Sequence, residues 1–299
     1  MCGIVALFLK NQALEPELGA LFEPMLVSMT TRGPDSAGFA IYGDEVAAAR
    51  IKVTLRHPDA RYDWKALANA LRGVDAQLEW FQNAIVAVFK LSTDEEKVRA
   101  WLTSNAPDVR VLSVGRSIEI LKDVGLPADI SRRFGLARMQ GSHIIGHTRM
   151  ATESAVTLQG SHPFSTGLDL CLVHNGSLSN HNRLRALLQR QGLDFETDND
   201  SEVAAGYLTW RLMNGDSLQK ALEAALTDLD GFFTFAIGTR DGFAVLRDPI
   251  ACKPAVLAET ADYVAMGSEY RALVSLPGIE SAKVWEPEPA QVYVWERQH

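Results

Sequence analysis

The chain has 299 residues, 47% of them hydrophobic and 22% charged, with a formal net charge of -8. That length suits one large domain or two modest ones, and the acidic balance disfavours nonspecific binding to nucleic acid or anionic membrane, since both need a positive surface. No apolar run reaches the length of a membrane span, and the first residues lack the pattern of a secretory signal.

Residues 3–8 are apolar and partly β-branched, the pattern of a buried strand. Leu14, Leu18, Leu21, Phe22, Met25, Leu26 and Met29 follow at helical spacing, and Pro24 among them predicts a kink or break. Thr31 to Gly38 carries turn chemistry and leads into a short strand over 39–42. From Arg56 to Phe134 the texture changes. Helices are predicted over 64–71, after a Thr93/Asp94 cap, and over 117–124; strands are predicted over 84–89 and 109–114. This reads as a small α+β unit without a chemical motif, an excursion over 56–135 from a main domain of 2–55 and 136–299. Strands are then expected over 143–147 and 170–174, and helices over 180–188, 202–212 and 218–226. The C-terminal part is strand-rich, over 232–237, 243–246, 255–257, 263–266 and 291–295. Runs of strands and helices, rather than βαβ alternation, favour an α+β sandwich over a doubly wound parallel sheet.

Cys2, Cys171 and Cys252 are too scattered for a disulfide framework or a metal cluster. Neither His143/His147 nor His174/His181 stands in an HExxH frame, so no metal is expected. A cytoplasmic protein with free thiols is the plain reading.

Four segments carry candidate chemistry. Removal of Met1 exposes an α-amine beside the Cys2 thiol. Such amines titrate at about 7.7–8 in model peptides, so the amine can take the thiol proton and return one to a leaving group. A cysteine that merely follows the initiator methionine in a buried strand is the alternative. Arg149, at a strand end, can hold a carboxylate through two parallel hydrogen bonds, or it can make a surface salt bridge. The Asn175 amide and the Gly176 N–H can converge as an oxyanion hole, although Asn-Gly is also a turn signal. Asp200 opens a predicted helix, where it can cap the N-terminus or receive an ammonium group.

Taken in order, Cys2-Gly3-Ile4-Val5, Arg32-Gly33-Pro34-Asp35-Ser36-Ala37-Gly38, His147-Thr148-Arg149, Ser161-His162-Pro163-Phe164, His174-Asn175-Gly176, Asp200-Ser201-Glu202, Asp248-Pro249 with Lys253-Pro254, and Ser268-Glu269 resemble the class II glutamine amidotransferases. These are N-terminal-nucleophile hydrolases. The resemblance covers residues 2–55 and 136–275 and implies a four-layer αββα sandwich. It implies glutamine as substrate, no cofactor, and Cys2 as nucleophile. Asn175 and Gly176 would stabilise the oxyanion, Arg149 would bind the α-carboxylate and Asp200 the α-ammonium. Thr152 would assist, Arg32 would support the surroundings of Cys2, and His162 would be structural. Ala251 and Lys253 depart from the glycine and arginine often found in relatives, and Met150 stands where some carry an aromatic residue.

The layout is most similar to stand-alone, glutamate-synthase-like amidotransferase subunits such as the small glutaminase component of N-methylglutamate synthase. The motifs extend nearly to the C-terminus, and there is no P-loop or dinucleotide fingerprint. The expectation is therefore a glutaminase subunit that forms a Cys2 thioester and delivers ammonia to a partner synthase, with 56–135 as a candidate docking surface. The alternatives are a self-sufficient amidase acting on a γ-glutamyl compound and a catalytically idle regulatory subunit.

Overall fold

A computed structural model describes residues 2–150 and 157–297. The first strand, β1 (Gly3–Leu9), is buried along its whole length. After a short 3-10 turn capped by Asn11, helix α1 (Leu18–Ser28) continues unbroken through Pro24, where a kink or break was expected. Phe22, Met25 and Leu26 flank the proline and are fully buried, so packing offsets the one backbone bond that proline cannot make. Then come β2 (Ser36–Tyr42), β3 (Ile51–Arg56), α2 (Trp64–Leu71), β4 (Glu79–Asn83), β5 (Val86–Leu91), α3 (Glu95–Asn105) and β6 (Arg110–Gly115). Asp63 and Asp94 cap the two helices through their carboxylates.

The next element corrects the sequence reading. Where a helix was expected, residues Ile118–Val124 form a strand, β7, paired antiparallel with β2 along its whole length. Ile118 and Ile120 face one core while Leu121 faces another, a period of two that the apolar pattern alone left ambiguous. Helix α4 (Pro127–Phe134) ends at Gly135 in the left-handed conformation. The remaining elements are β8 (His143–Arg149), β9 (Cys171–Leu178), α5 (His181–Arg190), α6 (Asp200–Met213), α7 (Leu218–Asp228), β10 (Gly231–Thr239), β11 (Gly242–Arg247), β12 (Val256–Glu259), β13 (Tyr263–Gly267), β14 (Lys283–Trp285) and β15 (Val292–Glu296).

Seven strands form one sheet in the order β14-β12-β13-β1-β8-β2-β7, and four form a second in the order β15-β11-β10-β9. Alternation along β1 explains their stacking. Ile4, Ala6 and Phe8 pack with Val173, Ala236 and Val245 of the second sheet, whereas Val5, Leu7 and Leu9 pack under α1 and α4. The outer face of the second sheet, including Leu172, Phe233 and Phe235, is covered by α5, α6 and α7 through Leu188, Leu208 and Leu222. The layers are thus helix, sheet, sheet, helix: an α+β, αββα sandwich.

A third sheet, β4-β5-β3-β6, packs with α2 and α3 around Val53, Leu55, Trp64, Phe89 and Leu102. Strand pairing bounds this unit at 51–115. Within the 56–135 expected as an excursion, β7 and α4 belong to the main sandwich, because β7 pairs with β2 and Ile130 and Phe134 join the core beneath α1. Among the described residues no helix is long and apolar enough to cross a membrane.

Candidate active site

The start of β1, an interior strand of the large sheet, is held from three directions. The Ile4 N–H donates to Ser268 Oγ at 2.9 Å, and the Ser268 N–H donates back to the Ile4 carbonyl at 2.9 Å. One residue earlier, Gly3 pairs with Thr148 of β8. The Cys2 carbonyl accepts Arg32 Nε at 2.8 Å and Asn175 Nδ2 at 3.3 Å. Arg32 comes from the loop after α1 and Asn175 from β9, so the outer helix layer and the small sheet converge on the backbone of Cys2.

Arg32 is itself fixed. Its Nη1 pairs with Glu269 Oε1 at 2.8 Å, and Glu269 also holds Arg271 Nε at 2.6 Å. The hydrogen bond from Arg32, with Arg271 beside it, keeps the Glu269 carboxyl below the usual range. Arg32 Nη2 is buried and has no hydrogen-bond partner among the described residues. Ser268-Glu269 was recognised in the sequence as a stretch without a role; its role here is to anchor β1 and Arg32.

Gly176 follows Asn175 on β9 with φ +152°, and a Cβ there would fall 1.9 Å from the Phe232 carbonyl oxygen. Only glycine fits that approach of β9 to β10. Asp248 shapes the same strand end: Oδ1 accepts the Phe233 N–H at 3.2 Å and Oδ2 accepts the Ile250 N–H at 2.9 Å. The Arg247 guanidinium donates to the carbonyls of Lys253 and Pro287, both at 3.0 Å. The Asp248 to Pro254 segment is therefore framework.

Arg149 ends β8 opposite Ser36, and its carbonyl accepts the Asp35 N–H at 3.1 Å. Its guanidinium lies against Gly160, where a Cβ would come within 3.3 Å of Nη1. Thr152 lies outside the described residues. Asp200 is the first residue of α6, but the cap is Asn199, whose side chain accepts the Ser201 N–H at 2.9 Å. The Asp200 carboxylate turns toward β9: Oδ2 accepts the Leu178 N–H at 2.9 Å, and Oδ1 lies 3.8 Å from His174 Nδ1.

Three buried histidines lie behind these groups. His147 and His162 have ring centroids 4.0 Å apart, His147 Nε2 lies 3.2 Å from the His174 carbonyl, and His174 Nδ1 lies 2.9 Å from Ser201 Oγ. Burial pushes His147 down to about 3 and holds His162 and His174 below their ordinary values. All three are neutral at neutral pH; His147 and His174 each make a hydrogen bond, while His162 packs with neither ring nitrogen bonded among the described residues.

Cys2, Arg32 and Asn175 are thus joined by direct bonds; Arg149 ends β8 of the large sheet, one residue past the Gly3–Thr148 pair, and Asp200 opens α6 behind the small sheet. Glu269 and Asp248 stand in stretches that the resemblance picked out, but sequence reasoning gave neither a role. The role of Glu269 is not legible locally, because Arg32 is 237 residues away.

A family model described as a glutamine amidotransferase domain matches residues 147–275. The chain is 58% identical to the glutamine amidotransferase-like protein GlxB of Rhizobium meliloti (strain 1021), over 100% of this chain and 99% of that protein. A protein of Methanothermobacter thermautotrophicus, named for the same group, is 33% identical over 99% of this chain and 100% of its own. Among solved structures, the glutamine phosphoribosylpyrophosphate amidotransferase of B. subtilis superimposes with a TM-score of 0.62 at 19% identity. That likeness covers 98% of this chain and 47% of the other, and it concerns the fold.

Proposed function

The chain belongs to the glutamine amidotransferase family and has the fold of its class II, N-terminal-nucleophile branch; on that premise we propose that it hydrolyses the side-chain amide of glutamine through Cys2. The observation that supports this most is the convergence of Arg32 and Asn175 on the Cys2 carbonyl, which fixes the backbone of the nucleophile from two layers.

In this reading Met1 is removed and the freed α-amine takes the thiol proton. The thiolate forms a bond to the amide carbon, and the Asn175 amide and Gly176 N–H receive the oxyanion. The ammonium returns a proton to nitrogen as the C–N bond breaks and ammonia leaves. Water then attacks the thioester, giving glutamate and regenerating the thiol. Arg149 receives the α-carboxylate and Asp200, through Oδ1, the α-ammonium. A cation and an anion supplied from different layers suit a zwitterion.

Ammonia released into neutral water is protonated and loses its nucleophilicity, so a partner synthase is the proposed consumer. The test is glutamate and ammonia release by the purified protein, alone and with candidate synthase subunits. Cys2→Ala is expected to lower turnover on the order of a thousandfold or more, and full activity of that variant overturns the mechanism. An intact mass that retains Met1 removes the proposed base. Strong activity without a partner favours the self-sufficient amidase instead.

A further inference from the structure

We propose that Lys122 is a positioning residue for the substrate α-carboxylate, holding the turn that packs against the Arg149 guanidinium. This rests on Arg149 as the carboxylate binder.

On β7, Ile118 and Ile120 point into the core between the sheets, and Lys122 is the next residue on that face. Its burial is nearly complete, with 6% of the residue exposed. An ammonium taken out of water is strongly disfavoured unless its protons are bonded. Those of Lys122 go to one short segment: Nζ donates to the Ser161 carbonyl at 2.7 Å and the Pro163 carbonyl at 3.1 Å, and lies 4.8 Å from the Phe164 ring centroid. Phe164 is bridged to Leu172 of the small sheet, so one end of the segment is already pinned.

The other end leads to the site. Ser161 closes a turn by donating its N–H to the Leu158 carbonyl at 3.1 Å and its hydroxyl to the Thr157 carbonyl at 2.9 Å. Gly160, inside that turn, is the residue lying against Arg149 Nη1. Lys122 therefore fixes the wall beside the guanidinium without touching substrate. Burial lowers it to about 8, while Glu202 and Glu196 oppose the shift, so the ammonium form predominates at neutral pH.

The experiment compares steady-state hydrolysis of glutamine with that of its α-carboxamide analogue, which keeps the side chain and α-ammonium but lacks the carboxylate. Lys122→Met is expected to raise KM for glutamine roughly tenfold, with kcat within about threefold and kcat/KM for the α-carboxamide little changed. Lys122→Gln, which retains an N–H donor, is expected to fall between wild type and Met. If Lys122→Met does not fold, the Gln variant carries the comparison by the same selective loss. Equal losses on both substrates, or no loss on either, overturn the proposal. Arg149→Met is the control for the underlying reading. If it leaves the preference for glutamine over the α-carboxamide intact, the carboxylate role of Arg149 fails whatever Lys122 does. A wild-type protein that hydrolyses neither substrate overturns both.

Discussion

Gly176 occupies the tightest backbone position at the site, and its replacement separates two costs. Gly176→Ala places a Cβ at a positive φ and 1.9 Å from a carbonyl oxygen, so β9 and β10 must part. The expected loss of stability is about 2–4 kcal/mol, read as a lower urea midpoint, with glutamine hydrolysis impaired in parallel. Gly192→Ala is the comparison. Its φ is +90°, but nothing lies within 4 Å of the added Cβ, so backbone strain alone applies, about 1 kcal/mol. Equal losses in the two variants would show that the approach to Phe232 is not what requires glycine. At this scale the sequence was informative wherever a motif is local. Asn175-Gly176 stood out as a dipeptide, with a turn and an oxyanion hole both open, and the structure places it within a strand. The Arg32–Glu269 pair was not legible as a pair: both stand in recognised stretches, but they are 237 residues apart and neither stretch points to the other.

Strand β8 carries a pH dependence built from burial. His143 lies with Nε2 2.9 Å from the Thr239 carbonyl and stacks on Tyr42 at 4.0 Å, and burial pushes it down to about 3, as it does His147. Both folded values lie below the unfolded value of about 6.5. Their stabilising contribution is therefore complete above that value and is lost as pH falls toward 3, because the unfolded chain binds protons that the folded chain refuses. Unfolding free energy is expected to decline between pH 6.5 and 5 with a slope approaching about 1.4 kcal/mol per pH unit for each histidine. His143→Gln should reduce that slope by about one proton, measured from urea midpoints across the range. An unchanged slope would show that His143 protonates without opening the strand. Among elements, β1 was legible because its apolar run is unbroken, and β8 by the Ile144-Ile145 pair at its centre. The segment of β7 was not, since Ile118, Ile120 and Leu121 fit a helix face or alternating strand faces equally well. Pairing with β2, a partner some eighty residues earlier in the chain, decides it.

At the scale of the molecule, the 51–115 unit leaves and re-enters the sandwich at neighbouring points. Tyr42 of β2 pairs with Ile118 of β7, and the Gly43 N–H donates to the Ser117 carbonyl at 3.3 Å. Two residues in a type I′ turn span such a pair, and Asn-Gly is the favoured choice. Replacing residues 44–116 by Asn-Gly should therefore leave a β2–β7 hairpin in the native register. Asp169 would keep its bonds to the Ser117 and Ile118 N–H groups, at 2.9 and 3.0 Å, and lose the one to Arg116. Other supports disappear: the Lys52–Glu119 pair at 2.8 Å, the Asn83 bond to the Phe134 carbonyl at 3.1 Å, and Val86, which is fully buried in the core under α1. Uncovering that patch is expected to cost about 2–4 kcal/mol, seen as an earlier but still cooperative thermal transition. None of Cys2, Arg32, Arg149, Asn175 and Asp200 belongs to the deleted segment, so hydrolysis of glutamine without a partner should stay within about tenfold of the parent. If the unit serves partner docking, transfer of ammonia to the synthase is lost while hydrolysis persists. A variant that fails to fold would instead make the third sheet an obligatory part of the main core.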